Sequence, residues 1–368
     1  MIPSPTLQLP FYAKFALISI GAFALIYTMY IGQHIILPIV YATILAILLN
    51  PLVNFLVVKK MNRTLAISLA MVVAIFIMAC LVYFLSAQIT LFTETYPKLL
   101  IKFNATSNHL IKWVSEHFNV SVVEINEWIA STENDAINNI GGAVSQTLST
   151  LNSVIIIVVL LPVYLFMILF YKNLLLEFIR KLFNTTHHLA VFEILGNSKK
   201  IIQSYLVGLL FEAAIVATLN SIGLLCLGID YAIILGITGA LLNVIPYIGG
   251  VIAIALPMII AYVTKDSSSY AILVLALYLL IQFIDNHFII PKVVASKVKI
   301  NALISIIVVL VGGAIWGVPG MFLSIPITAI LKVIFDHIES LKPWGFLLGN
   351  IVPTASKLKF DFIKKKAK

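Results

Sequence analysis

The sequence predicts an all-α polytopic membrane protein, with about six full transmembrane helices and two re-entrant helical hairpins broken by glycine and proline. Of its 368 residues, 61% are hydrophobic and 11% are charged, and the mean hydropathy is +1.08. A water-soluble domain of this size needs far more charge to cover its surface. The apolar residues also fall into long, separate runs. Composition and patterning together therefore exclude a soluble globular protein.

Six apolar runs have the length of a single crossing, because a transmembrane helix needs about 20 apolar residues. In chain order, these runs cover approximately residues 12–31, 35–57, 64–89, 148–171, 201–229 and 270–290. Two further runs, 231–263 and 302–335, are too long for one ordinary crossing and too short for two. Both are interrupted near the middle by glycine and proline, with Pro246 and Pro319 in corresponding positions. Such paired breaks point to the binding site of a membrane carrier.

The basic residues predict the orientation of the chain, because loops rich in lysine and arginine stay in the cytoplasm. They cluster after the second and fourth runs, before the last run and in the tail: Lys59, Lys60, Arg63, Lys172, Arg180, Lys181, Lys199, Lys200, Lys292, Lys297, Lys299, Lys357, Lys359, Lys364, Lys365, Lys366 and Lys368. If the two broken runs were single tilted crossings, Lys292, Lys297 and Lys299 would face outward. Re-entrant hairpins place them, and both chain termini, in the cytoplasm. The result is two helix-plus-hairpin units of opposite orientation, which is an inverted repeat.

This topology divides the chain into five parts. They are N-terminal scaffold helices (1–89), an external amphipathic helical segment (90–147), a transmembrane helix with a cytoplasmic linker (148–200), an inverted-repeat core (201–335, with hairpins 231–263 and 302–335) and a basic cytoplasmic tail (336–368). The net charge of +9 does not indicate nucleic acid as a partner, because the basic residues lie between and after the apolar runs.

The two breaks are the predicted substrate-binding elements. Backbone groups freed by proline and glycine must be satisfied by protein, water or a passing solute. The residues concerned are Asn243, Pro246, Tyr247, Gly249 and Gly250 in the first break, and Gly312, Gly313, Trp316, Gly317, Pro319 and Gly320 in the second. Asn243 and Tyr247 add side-chain hydrogen bonds at the first break. Tight helix packing through small residues is the alternative interpretation of the second break.

Ionisable residues inside apolar runs are candidates for coupling transport to an ion or a proton, because they are costly at that depth. Glu212 lies near the middle of the run 201–229, and Asp285 clusters with the polar residues Gln282 and Asn286 in the run 270–290. A structural alternative for Glu212 is a protonated side chain that hydrogen-bonds to Asn220 or another helix. Solvation at the membrane interface is the alternative for the cluster at 282–286.

The sequence contains no signature of an enzyme, and it predicts no cofactor and no metal site. It has no P-loop, no zinc-protease signature and no GxSxG element. Nothing in it couples ATP hydrolysis to movement.

Three strings resemble the autoinducer-2 exporter family: YLVGLLFEAAIVATLNSIGLLCLGI (205–229), LNVIPYIGGVIAIALP (241–257) and IQFIDNHFIIPKVVASKVKINALISIIVVLVGGAIWGVPGMFLSIPITAILKVI (281–334). In the family the first break often ends in proline, where this chain has Gly250. The resemblance implies a carrier of the bacterial inner membrane. It also implies a homo-oligomer, with a pentamer as one form, and an elevator-like movement of the hairpin-bearing part.

These observations favour a secondary transporter that exports a small polar metabolite or signalling molecule, similar to autoinducer-2. The backbone and amides of the breaks suit such a neutral solute. A sodium(lithium)/proton antiporter that uses Glu212 or Asp285 is the first alternative, since an exchanger needs a carboxylate that alternates between ion and proton. A non-transporting oligomeric membrane scaffold or channel is the second. The bilayer, and either the solute or a monovalent cation, are thus the expected partners.

Overall fold

The computed structural model describes residues 10–81, 160–245, 248–295 and 298–350, together with the isolated residues 83, 84, 86, 97, 101, 115 and 121. Within these ranges the chain is almost entirely helical, and a single isolated bridge between Ile300 and Gly349 is its only extended pairing. Nearly all of the predicted external segment 90–147 lies outside the described residues. So do the tail beyond residue 350 and three residues discussed above, Pro246, Tyr247 and Lys297.

The described part of the chain forms eleven α-helices. In chain order they are α1 (Phe11–Ile31), α2 (Gln33–Val58), α3 (Arg63–Leu81), α4 (Leu160–Phe170), α5 (Lys172–Leu182), α6 (His188–Cys226), α7 (Ala232–Asn243), α8 (Ile248–Thr264), α9 (Ser269–Ile284), α10 (Ala302–His337) and α11 (Lys342–Leu348). Two π-helical turns, Asp285–Ile289 and Pro291–Ala295, continue α9.

Six helices of the described part are long and apolar enough to cross a membrane, which confirms the prediction of an all-helical membrane protein with about six spans. They are α1, α2, α3, α6, α9 with its extension to Val294, and α10. The set differs from the sequence prediction at two places. The run 148–171 is described only from residue 160, as α4, which meets α5 at an angle of 68°. Conversely, α10 is long and apolar enough to cross a membrane, although the sequence predicts a hairpin there.

The chain comes into close contact with itself at both of the broken runs. Gly249 in α8 is so close to the carbonyl of Leu242 in α7 that a side chain there would overlap it. Inside α10, Gly317 has φ 64° and ψ −149°, a conformation that is accessible essentially only to glycine. As a result, the half before Gly317 (α10a, residues 302–316) packs against the half after it (α10b, residues 318–337), with Gly312 against Gly320.

The helices pack around several apolar cores. One core joins α2, α3 and α4 through small and aliphatic residues such as Ala46, Ala70 and Leu169. A second joins α6, α7, α8 and α9, and includes Leu224 and Val274. A third connects α2 to α6 and α10, and contains Ile44 and Leu323. The helix α6 therefore links the N-terminal helices to the two broken runs.

Candidate functional site

A cavity of about 210 Å³ lies where α6 meets the end of α7, the π-helical extension of α9 and both halves of α10. Most of its lining is aliphatic. Four side chains supply polar atoms to it: Tyr205, Glu212, Asn243 and Ser305. Because each of these comes from a helix that crosses or enters the apolar core, the cavity presents a few polar groups within otherwise apolar surroundings.

Glu212 reaches this cavity from the middle of α6, where its side chain is only 6% exposed. One turn earlier, Gly208 packs against the backbone of Val293, and a Cβ at Gly208 would lie 2.6 Å from the Val293 carbonyl oxygen. The glycine thus lets the π-helical segment approach α6 closely. Tyr205 is buried on the same face of α6 and lines the same cavity. The sequence places Glu212 correctly as a buried acid, and the close helix contact explains its burial.

Asp285 is joined directly to the first break. The side-chain amide of Asn243, at the last position of α7, donates a hydrogen bond of 2.9 Å from its Nδ2 to Asp285 Oδ2. Asp285 is fully buried, and its Oδ1 has no partner among the described residues. It also begins the first π-helical turn, and such distortions of a helix occur frequently at functional sites.

Three further predicted residues lie beside this pair. A Cβ added to Gly250 would lie 3.0 Å from Gln282 Oε1 and 3.3 Å from Asn243 Oδ1. The Gln282 amide donates to Asn286 Oδ1 over 3.4 Å, a long hydrogen bond on the exposed side. Five predicted residues therefore lie in one polar group: Asn243, Gly250, Gln282, Asp285 and Asn286.

The Asp285 and Glu212 carboxyl groups are close enough for their charges to interact. Two carboxylates in one buried region repel each other when both are ionised, and a proton or a monovalent cation relieves that repulsion. The arrangement can therefore hold one exchangeable positive charge next to the cavity. This chemistry suits either direct ion exchange or ion-coupled movement of a neutral solute.

The second break lies apart from this cavity. Trp316 donates from its indole Nε1 to the Met29 carbonyl in α1 over 3.0 Å, and the Tyr41 hydroxyl in α2 donates to the Pro319 carbonyl over 3.0 Å. Gly312, Gly313 and Gly320 are occupied by contacts between α10a and α10b. From α10, only Ser305 and Ile325 line the cavity. The structure thus brings the first break and the carboxyl pair together, and places the second break against α1 and α2.

Tyr205 and Ser305 line the cavity, but they are not among the site residues predicted from the sequence. Tyr205 stands seven residues before Glu212, so helical periodicity puts both on one face and could have identified it. Ser305 has no such signal, because its position depends on the fold of α10. Asn220, the suggested partner of Glu212, instead lies beside Gly239 and Tyr278, and a Cβ added to Gly239 would lie 3.3 Å from Asn220 Nδ2.

We expect Asn243→Ala to lower the stability of the protein by about 1–3 kcal/mol, because it leaves the buried Asp285 carboxyl group without its hydrogen-bond donor. The melting temperature of the purified protein in detergent measures this loss. Asn286→Ala is the matched control, since Asn286 is exposed and belongs to the same polar group. Equal melting temperatures for Asn243→Ala and Asn286→Ala would contradict a supporting role for the bond between Asn243 and Asp285.

The chain is similar to known proteins over most of its length. A sequence model of the family described as "AI-2E family transporter" matches residues 18–340 of this chain. The "Putative transport protein YueF" of Bacillus subtilis (strain 168) is 26% identical over 313 residues, which cover 83% of this chain and 84% of that protein. The "AI-2 transport protein TqsA" of Escherichia coli (strain K12) is 26% identical over 321 residues, which cover 87% of this chain and 91% of that protein.

Proposed function

We propose that this chain, which belongs to the AI-2E family of transporters, is a secondary carrier. It would export a small polar metabolite or signalling molecule across the bacterial inner membrane. The family match confirms the resemblance drawn from the sequence, and with the apolar helices it confirms the general assignment as a multi-pass membrane transporter. A transporter family also speaks against an enzyme and against a non-transporting scaffold.

The observation that carries the proposal is the cavity between α6, the first break and α10. Its volume of about 210 Å³ is smaller than the pockets of roughly 300–1,000 Å³ that hold drug-sized ligands. A compact solute with a few hydroxyl groups fits such a space. The Glu212 carboxyl, the Asn243 amide and the hydroxyls of Tyr205 and Ser305 offer it both donors and acceptors.

The proposed movement is alternating access. In it, α7 with α8, and α10a with α10b, are re-entrant hairpins that follow α6 and α9 as two inverted units. The close contact of the chain with itself at both breaks supports this arrangement, as do the lysines between α9 and α10. The second break in α10 contacts α1 and α2 through the hydrogen bonds that Trp316 and Tyr41 donate. A sliding elevator would exchange these contacts. A homo-oligomer, such as a pentamer, would hold the N-terminal helices fixed.

A second candidate function is sodium(lithium)/proton exchange. The electrostatic contact between Glu212 and Asp285 favours it, because two neighbouring carboxyl groups can bind a proton or a monovalent cation in turn. In this case the cavity admits the cation, and the aliphatic lining excludes larger solutes. Direct flux measurements separate the two functions.

The name of TqsA makes autoinducer-2 the first solute to test. We expect a strain that lacks this gene to retain several-fold more of the signal inside the cell than its parent, because efflux through the carrier is lost. Intracellular and extracellular signal are measured over growth, and a plasmid copy of the gene is the control that should restore efflux. Unchanged accumulation and efflux in the deletion strain would remove autoinducer-2 as the substrate.

A further inference from the structure

A cluster of positive charge stands at one end of the N-terminal helices, and none of its members lines the cavity. Its centre is Asn50 of α2, which is 5% exposed. Lys172, at the start of α5, donates from Nζ to Asn50 Oδ1 at 2.9 Å. Arg63, at the start of α3, donates from Nη2 to the Leu169 carbonyl near the end of α4 at 3.0 Å. Lys199 of α6 is close enough to Lys172 to interact with it electrostatically.

The three cations of this basic cluster (Arg63, Lys172 and Lys199) are not neutralised by the described part of the chain. Burial, followed by the charges of Lys199 and Arg63, lowers the pKa of Lys172. The described residues provide none of the three with an ion pair, and the acid of α5, Glu177, is already paired with Arg180. Like charges that converge without a counterion are unfavourable, so the site gains from an added anion.

Asn50 supplies a second, independent sign of an absent partner. Its Oδ1 accepts from Lys172, but its Nδ2 is buried and has no acceptor among the described residues. Buried amide donors are nearly always satisfied, and leaving one unpaired is costly. An anion bound beside Lys172 would provide the missing charge, and it would offer Nδ2 an acceptor once the Asn50 amide turns toward it.

We propose that the basic cluster binds the phosphate group of an anionic phospholipid. Phosphate oxygens accept hydrogen bonds from guanidinium, ammonium and amide groups, and they carry the required negative charge. A free phosphate shares this chemistry, but the surroundings favour a lipid. Phe55, Phe170 and Leu174 stand near the cluster along their helices and are between 41% and 64% exposed. Acyl chains would cover this apolar surface, whereas a soluble anion would leave it bare.

The position of the cluster also suits a lipid headgroup. Arg63 begins one candidate membrane span, and α4 ends just before Lys172, so both cations stand where apolar helices meet the membrane surface. Basic pockets between helices at this level are typical binding sites for anionic headgroups. The bound lipid would connect the N-terminal helices with α6, because Lys199 belongs to α6 and the other groups to α2, α3 and α5.

The test measures lipid binding to purified, delipidated protein in detergent. Phosphatidylglycerol, phosphatidylcholine and soluble glycerol phosphate are added separately, and native mass spectrometry and melting temperature report binding. We expect phosphatidylglycerol to form a retained adduct and to raise the melting temperature more than the other two. An equal effect of phosphatidylcholine would overturn the preference for an anion. An equal effect of glycerol phosphate would overturn the lipid as its source.

Variants separate this site from general attraction to a charged surface. We expect the double variant Lys172→Gln/Lys199→Gln to bind phosphatidylglycerol at least about tenfold more weakly than wild type, since each basic residue near the surface adds several-fold in affinity. Lys181→Gln, which removes an exposed charge from the same helix α5, should bind like wild type. An equal loss in Lys181→Gln would contradict a specific site.

The variant Asn50→Asp tests whether lipid binding can be lost without misfolding. The new carboxylate would pair with Lys172 and neutralise the cluster from within. We therefore expect this variant to lose its preference for phosphatidylglycerol while its lipid-free melting temperature equals or exceeds that of wild type. A preference that persists in both Asn50→Asp and the double lysine variant would overturn the proposal.

Discussion

Gly312→Val is expected to prevent most of the protein from reaching its folded, monodisperse form. A Cβ at this position would overlap the Ser324 hydroxyl and the Gly320 carbonyl, so α10a and α10b would have to separate. Overpacking a close helix contact costs about 1–3 kcal/mol for a small insertion, and two further methyl groups at a backbone contact exceed this range. Fluorescence-detected size-exclusion chromatography of a tagged protein measures the folded fraction.

Gly21→Val in α1 is the matched control, because nothing lies within 4 Å of a Cβ at Gly21. Both substitutions replace a glycine in an apolar helix with the same residue, so membrane insertion and helix propensity change equally. We expect Gly21→Val to give a wild-type elution profile. A wild-type profile for Gly312→Val as well would show that α10 does not fold back on itself at Gly317.

The membrane spans and the positions of the breaks follow from local properties, and for that reason they can be predicted. Span length is set by the thickness of the bilayer, so hydropathy alone locates α1, α2, α3 and α6. Glycine and proline mark places where a helix cannot continue without strain, and the positive φ of Gly317 lies at one of the predicted breaks. The π-helical turns after α9 carry no such signal, because they depend on the packing of Val293 against Gly208.

The polar members of the site are predictable one by one, whereas their grouping is not. Glu212, Asn243 and Asp285 are noticeable in the sequence because polar side chains are costly within apolar runs. The hydrogen bond between Asn243 and Asp285 spans 42 positions and becomes visible only when α7 and α9 are placed together. The second break shows the opposite case. Its composition resembles the first break, but the fold directs Trp316 and Pro319 to α1 and α2.

Glu212→Gln is expected to reduce transport by about tenfold or more while the protein folds normally. Glutamine has nearly the same shape as glutamate, but it can neither release a proton nor bind a cation with a negative charge. A hydrogen bond or ion contact to a charged group contributes about 1.5–3 kcal/mol, which corresponds to a factor of roughly ten to a hundred. Flux into liposomes that contain the purified protein measures the loss, and chromatography confirms the fold.

Glu193→Gln is the matched control, because Glu193 lies on the same helix α6 and its side chain is 70% exposed. The flux assay is run once with the labelled signal molecule and once with a sodium or lithium gradient and a pH-sensitive dye inside the vesicles. If the protein is an exporter of a polar solute, wild type and Glu193→Gln move the solute, and Glu212→Gln does so slowly. If it is an antiporter, the sodium gradient drives proton movement in wild type and Glu193→Gln only. Wild-type flux in Glu212→Gln under both conditions would remove this carboxyl group from the transport mechanism and leave Asp285 as the acid to test.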